Sequence, residues 1–521
     1  MDDTLFVMAA KQIRKAPLDP FGFQLTWEQV PQPMSEVTQN PPLASYYIAL
    51  IADIAGWSER ALHLGFLLPA LVMVLGTYRL ASHFTRYPLL AALATLLTPG
   101  VVVSASGVMC DTTMLALWVL AMILWIEALE PPKALYLASA GMLITAAALS
   151  KYFGAALIPL LLVYSVLRLR AMKLRLLYLA IPLPFLAAYQ YWTVSKYGHG
   201  MLLGAAHYAM NLRAGPAESY LTLALVGMSF AGGAALSALT LAPLVWQRKQ
   251  IVIGLVVAAG ATLTLMLNPA VAARPQPWLI ASQLLLFSFS GLSLLALALS
   301  DYWSRRDAES ALLGLWIVGT LVFTIFVNWS INVRSVLPLI PAAGILLARR
   351  FPRDDAGFSR RMQTGAAIAL GVSGIVSIWV AAGDAALANV ARDAAATVTQ
   401  KLQGETGTLW FEGHWGFQYY MELRQAQAVN LSDPKLNPGD WVVLPLHNTD
   451  IVPVGSDFID SRQTYEFPVR TWSTTMNWER GAGFYSFLFG PMPFALGPVP
   501  PEPYSLYHIK GNAQSDQPGR Q

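Results

Sequence analysis

The sequence predicts an all-α polytopic membrane bundle followed by a small extracytoplasmic α/β domain. Three observations predict it. The 521 residues are 55% hydrophobic and only 12% charged, with mean hydropathy +0.48, whereas a soluble globular chain carries about 25% charged residues. From Leu62 to Asp384 apolar runs follow one another, each about 16–25 residues long and so near the length that crosses a roughly 30 Å hydrocarbon core. Beyond that point the runs shorten and alternate, broken by Gly, Pro, Asn and Asp. The net charge of +4 is too small to point to nucleic acid. The lone Cys110 forms no intramolecular disulfide and leaves the redox compartment unread.

Residues 1–61 precede the first run and read as a loop. Within it Asp2-Asp3 leads into the apolar stretch Leu5 to Ala10, then Lys11, Arg14 and Lys15, a pattern for a short helix lying in the membrane interface. About twelve spans follow, at 62–80, 88–106, 111–129, 134–150, 152–168, 176–192, 219–245, 250–268, 278–300, 311–327, 335–348 and 364–384. Each is apolar on all sides, as a membrane helix is. Basic residues fall in alternate loops. One set holds Arg79, Arg86, Lys133, Arg168, Arg170, Lys173, Arg175, Arg248, Lys249, Arg305, Arg306, Arg349, Arg350, Arg353, Arg360 and Arg361. The other holds only Lys151, Lys196, Arg213, Arg274 and Arg334. The excess of positive residues marks the first set as cytoplasmic. Residues 1–61 and the tail then face the outside, the periplasm of a cell with two membranes. From about Thr406 the tail carries runs such as Thr408-Leu409-Trp410-Phe411 and Trp441-Val442-Val443-Leu444, which read as strands. The division is therefore 1–384, membrane-embedded, and 385–521, a domain large enough to bury its own core.

Few residues are placed for chemistry. Asp111 opens a span at the outer mouth. A carboxylate at membrane depth is costly and so functional by default, but Asp is also a good helix cap, and both roles can hold together. Lys151 interrupts two apolar runs at an outer end. It is either functional or a snorkelling lysine. Arg334 is one of few outer arginines. Its planar donor fork suits phosphate, and near Trp329 it equally suits an interfacial anchor. His199 and His207 share an outer loop at a spacing that matches no common ligand pattern, and His414 and His447 lie in the tail. No phosphate-binding glycine loop and no nucleophile elbow is present.

In order, the chain shows the acidic pair Asp2-Asp3, Asn40-Pro41-Pro42-Leu43, Ser58-Glu59-Arg60-Ala61, Asp111, Leu149-Ser150-Lys151-Tyr152, and Arg334 with a downstream Leu337-Pro338-Leu339-Ile340-Pro341. This order resembles the GT-C integral-membrane glycosyltransferases, in the branch of bacterial aminoarabinose transferases and protein O-mannosyltransferases (similar to glycosyltransferase family 39). The resemblance covers about residues 1–384. It implies a polyprenyl-phosphate sugar as donor, transfer on the outer face, and a lipid, protein or glycan as acceptor. It implies catalytic roles for Asp2, Asp3 and Asp111, with Asp2 or Asp3 as base. Arg334, Lys151 and Asn40 are then the donor-phosphate residues. No metal site and no obligatory cofactor is expected, although three acids could hold a divalent cation.

Two departures stand out. Relatives carry a span before their acidic pair, so a further N-terminal span encoded upstream of Met1 is expected. Asn40 stands where relatives often have a basic residue, which shifts phosphate binding toward Arg334 and Lys151. A transporter or lipid-linked-sugar flippase is the alternative. Transporters, however, place ionisable groups near the membrane midplane, and here the charges sit at span ends.

Overall fold

The computed structural model describes residues 3–213, 219–352, 359–433 and 435–510. It divides into two compact units. The membrane unit is Asn40–Ala381 with Ser473–Gly497, and the second unit holds the residues up to Gln39, Ala382–Trp472 and those from Pro498.

Among the described residues of the chain, seven helices are long and apolar enough to cross a membrane, or eight if one bent pair is a single span. Glu59–Ala81, Cys110–Leu129, Tyr152–Leu169, Arg248–Met266, Pro277–Arg305, Ala308–Val327 and Arg360–Lys401 match expected spans. The others are short or broken, and proline explains most of the breaks. Helices Pro88–Leu96 and Pro99–Ser106 meet at 63°, because Pro99 forces the preceding Thr98 into extended backbone. The expected span 176–192 is a 3₁₀ turn, Leu174–Ala180, and a helix that starts at Pro182. The expected span 335–348 is cut into Val333–Val336, Leu337–Leu339 and Ile340–Arg349 around Pro338 and Pro341. The expected span 219–245 ends as a regular helix at Ala234 and continues in two short turns. Ala134–Ser150 is helical throughout but short.

Large side chains fill the bundle core. Trp118 stacks on Phe153 at 5.5 Å and on Trp316 at 5.9 Å, and the buried Trp125 indole donates to Ser165 at 2.8 Å. Small residues let backbones approach. A methyl added at Gly232 would lie 1.9 Å from the Phe287 carbonyl, and one at Gly291 2.0 Å from that of Met228. Helices Tyr220–Ala234 and Pro277–Arg305 are thus packed as membrane helices are, through glycine. Leu64, Leu67, Leu68, Leu71 and Leu75 stay exposed along Glu59–Ala81, which is how a lipid-facing stripe looks.

The second unit is a mixed five-stranded sheet in the order Gln427–Ala428, Leu409–Phe411, Trp441–Pro445, Glu502–Ile509, Ile459–Phe467. The first three strands are parallel, and the last two pair antiparallel. Helix Trp415–Leu423 crosses between the first two. Phe411, Phe417, Met421, Val443, Tyr504 and Leu506 form its core with Val390, Ala394 and Val398. The α/β expectation for the tail holds.

The unit boundaries differ from the division at 384 in two places. Among the described residues before Asn40 no helix is long and apolar enough to cross a membrane; helix Asp3–Lys15 sets Lys11 over the Tyr419 ring, and Leu431 N–H donates to the Gln29 carbonyl at 2.8 Å. Leu5, Phe6, Ala9, Ala10 and Ile13 of that helix are buried, so its apolar side is core and does not lie open for an interface. Ser473–Gly497 returns to the membrane unit. Phe494 packs on Phe287 at 4.8 Å, and the Gln283 amide exchanges two hydrogen bonds with Leu496.

Candidate active site

Asp111 is the second residue of helix Cys110–Leu129. Met109 holds the capping position, and no side chain caps the helix there. The carboxylate therefore does not serve as the cap. It sits in the first turn, where the helix dipole favours a negative charge, and it is 1% exposed. Both its oxygens are engaged. Lys151 Nζ lies 2.5 Å from Oδ1, and Arg334 Nε lies 2.9 Å from Oδ2. Lys151 also reaches the Arg334 carbonyl at 3.5 Å. Two cations on one acid leave the cluster with a net charge of +1, and a buried acid with one partner removed would be strongly penalised.

Local structure explains how each partner arrives. Lys151 occupies the extended residue that ends helix Ala134–Ser150 and precedes the turn Tyr152–Ala156. The interruption in the apolar run is thus a real break between two helices. Arg334 lies in the single turn Val333–Val336. Asn332 caps that turn: its Oδ1 accepts from Ser335 N at 2.8 Å and from Ser335 Oγ at 2.9 Å. Asn328 Nδ2 donates to Ser335 Oγ at 2.7 Å, and Thr324 Oγ1 to the Ser335 carbonyl at 2.9 Å. The returning segment closes the same loop. Val333 N–H donates to the Phe484 carbonyl and Phe487 N–H to the Ile331 carbonyl, both at 2.9 Å, and Ser330 Oγ meets Ser486 Oγ at 3.0 Å. Arg334 is consequently fixed by hydrogen bonds. It is 9% exposed, too buried for an interfacial anchor.

Asn40 stands beside this cluster. Its Oδ1 is 3.8 Å from Cys110 Sγ, the neighbour of Asp111. The structure thus brings together Asp111, Lys151, Arg334 and Asn40. Asp3 opens helix Asp3–Lys15 of the second unit, and Asp2 lies outside the described residues. No group of three or more His, Cys, Asp or Glu suited to a metal occurs among the described residues. The Asn332-x-x-Ser335 cap pattern was readable in the sequence. The clasp by residues 484–487 carried no signal, because a Gly- and Pro-rich stretch far along the chain looks like any loop.

Residues 39–192 match the family of dolichyl-phosphate-mannose-protein mannosyltransferases. The match covers the first part of the membrane unit. The matched stretch contains Asn40, Asp111 and Lys151, and the resemblance drawn from the sequence is borne out there. Arg334 joins the cluster from outside it. A comparison with curated protein sequences finds no match. Among solved structures, the chain is similar to ArnT from Cupriavidus metallidurans bound to undecaprenyl phosphate, at 14% identity over 85% of this chain and 88% of that one, with a TM-score of 0.42. It is also similar to the archaeal oligosaccharyltransferase AglB from Archaeoglobus fulgidus in complex with an inhibitory peptide and a dolichol-phosphate, at 12% identity over 85% of this chain and 65% of that one, with a TM-score of 0.45.

Proposed function

We propose that this membrane glycosyltransferase moves a sugar from a polyprenyl-phosphate donor to a lipid, protein or glycan acceptor on the periplasmic face of a bacterial inner membrane. The observation that carries the reading is the net-positive Asp111–Lys151–Arg334 cluster, two of whose residues lie in the stretch that matches a family named for a lipid-phosphate sugar donor. The basic loops support the orientation. Arg79 pairs with Glu127, Arg175 donates to the Leu129 carbonyl, Arg168 pairs with Glu130 and reaches Glu309, and Arg305 pairs with Asp301. These contacts gather at the end of the bundle away from Asp111, the end that the charge bias makes cytoplasmic.

The chemistry is one displacement at the anomeric carbon. The acceptor hydroxyl oxygen forms the new bond as the bond to the phosphate oxygen breaks, and the sugar configuration inverts. Lys151 and Arg334 stabilise the charge that grows on the departing polyprenyl phosphate, with no reorganisation at the moment of reaction. Asp111 is a positioning residue in this reading. Its two oxygens already hold two cations, so it is not the base, and the family resemblance alone assigns that role to the acidic pair Asp2-Asp3. Asn40 supplies an uncharged contact next to the phosphate site. The same occupancy of Asp111 argues for a reaction that needs no divalent cation, and transfer is expected to persist in a chelator. Radiolabelled transfer from a polyprenyl-phosphate sugar to an extracted acceptor pool tests the reading. Label that stays on the donor with every acceptor fraction, while the protein remains folded, would overturn it.

A further inference from the structure

The second unit contains a cleft of about 650 Å³, within the range of roughly 300–1,000 Å³ typical of small-molecule sites. Helix Asp3–Lys15, strand Gln24–Trp27, helix Trp415–Leu423 and strand Gln427–Ala428 wall it. All four belong to one compact unit, and none carries the donor-phosphate residues. The lining is unlike the apolar interior of the bundle. Lys11 and Lys15 stand against the single acid Glu422, so the cleft carries an excess positive charge. Lys11 rests 4.9 Å from the centre of the Tyr419 ring, and partial burial lowers its pKa while Glu422 raises it. Gln24 and Gln427 add two side-chain amides, each able to donate and accept at once.

We infer that this cleft binds an acidic saccharide, a sugar unit carrying a carboxylate or phosphate. Amides match vicinal hydroxyls, the Tyr419 ring gives an apolar surface, and the lysines answer the anionic group. An acidic peptide fits less well. The edge strand Gln427–Ala428 has two residues, too few to pair with an added peptide strand. In a glycosyltransferase, the reading on which this point rests, the ligand is then a part of the acceptor. The binding itself needs no donor and no transfer.

The test is saturation-transfer NMR on the detergent-solubilised full chain without donor. The probes are a hexuronic-acid disaccharide, a neutral disaccharide of matched linkage, a short poly-glutamate peptide and inorganic phosphate, the last read by its displacement of the disaccharide signal. Saturation transfer to the uronic disaccharide alone is the expected result. Lys15→Gln and Gln427→Ala, both at exposed positions, should each weaken it about tenfold, the equivalent of about 1.4 kcal/mol. Equal binding of the neutral sugar, tighter binding of the peptide, or a phosphate affinity equal to that of the disaccharide would each overturn the inference. So would wild-type affinity in both variants. Failure here leaves donor-dependent transfer untouched, because that reaction is read separately.

Discussion

Asp111 and Asp301 are buried carboxylates at opposite ends of one bundle, and each holds two basic side chains. Asp301 takes Arg305, four residues along its own helix, at 2.9 Å and Arg349 at 3.4 Å. Asp111 takes Lys151 and Arg334, which are 40 and 223 residues away, at 2.5 and 2.9 Å. The same stoichiometry therefore serves two purposes. At the Asp301 end basic residues crowd the helix ends that carry the positive-inside signal, and Asp301 compensates one part of that charge. At the Asp111 end basic residues are scarce, and the fold recruits two of them from separate elements onto one carboxylate. Arg349 reaches Asp301 from another helix too, so the difference between the ends is that both partners of Asp111, and not one, come from other elements. A buried ion pair alone does not mark a site.

The largest expected effect separates the two ends. Asp111→Asn and Asp301→Asn should both lower thermal stability, since each strands buried cations, at a cost of about 3–5 kcal/mol for a broken buried pair. Only Asp111→Asn should also lose turnover of the folded enzyme, by at least about 10²-fold, as transition-state electrostatic contacts do. Transfer rates normalised to folded protein decide this. Equal turnover loss in both variants would erase the distinction.

The next effect belongs to the second unit, where one acid stands without a cation. Glu412 is 4% exposed, and its carboxylate accepts from Val452 N–H at 2.7 Å. Burial pushes its carboxyl up to about 7, against an ordinary value of 4.5. The folded state then binds a proton that the unfolded state has released between about pH 4.5 and 7, so this group makes stability fall as pH rises through that window. The full penalty above pH 7 is of order 3 kcal/mol. Glu412→Gln should abolish that part of the slope, read from hydrogen exchange of the strand amides at Trp410 and Phe411 across the pH range. An unchanged slope would show that Glu412 is not its source.

A smaller effect tests how Arg334 is held. Asn332→Ala removes the cap of a four-residue turn and should cost about 1 kcal/mol. Its turnover should fall more than that of Asn268→Ala, which removes a comparable cap from the turn Pro269–Ala272. Equal turnover in the two variants would mean that the Arg334 turn is held by the 484–487 clasp alone.

Much of this organisation was legible in the sequence, and the unread parts have physical causes. Apolar run length reported the long helices correctly. It did not report where proline breaks a helix inside an apolar run, because hydropathy does not register the lost backbone donor at Pro99, Pro182 or Pro338. Charge bias separated the two ends of the bundle. Asp111, Lys151 and Arg334 were each visible as a costly charge in an apolar setting. Their pairing was not, since nothing local links residues 223 apart. Ser473–Gly497 was read with the tail because Gly and Pro interrupt its apolar runs, yet Phe484 and Phe494 are fully buried in the membrane core.

The proposed chemistry rests on donor-phosphate binding by Arg334. It is tested most directly by titrating polyprenyl phosphate onto wild type, Arg334→Lys and Arg349→Lys in matched detergent. Lysine keeps the charge and removes the planar fork. Arg334→Lys should show a raised Kd, and Arg349→Lys, whose arginine is equally buried at the other end, a wild-type Kd. Wild-type affinity in Arg334→Lys, or the same loss in both, would contradict it.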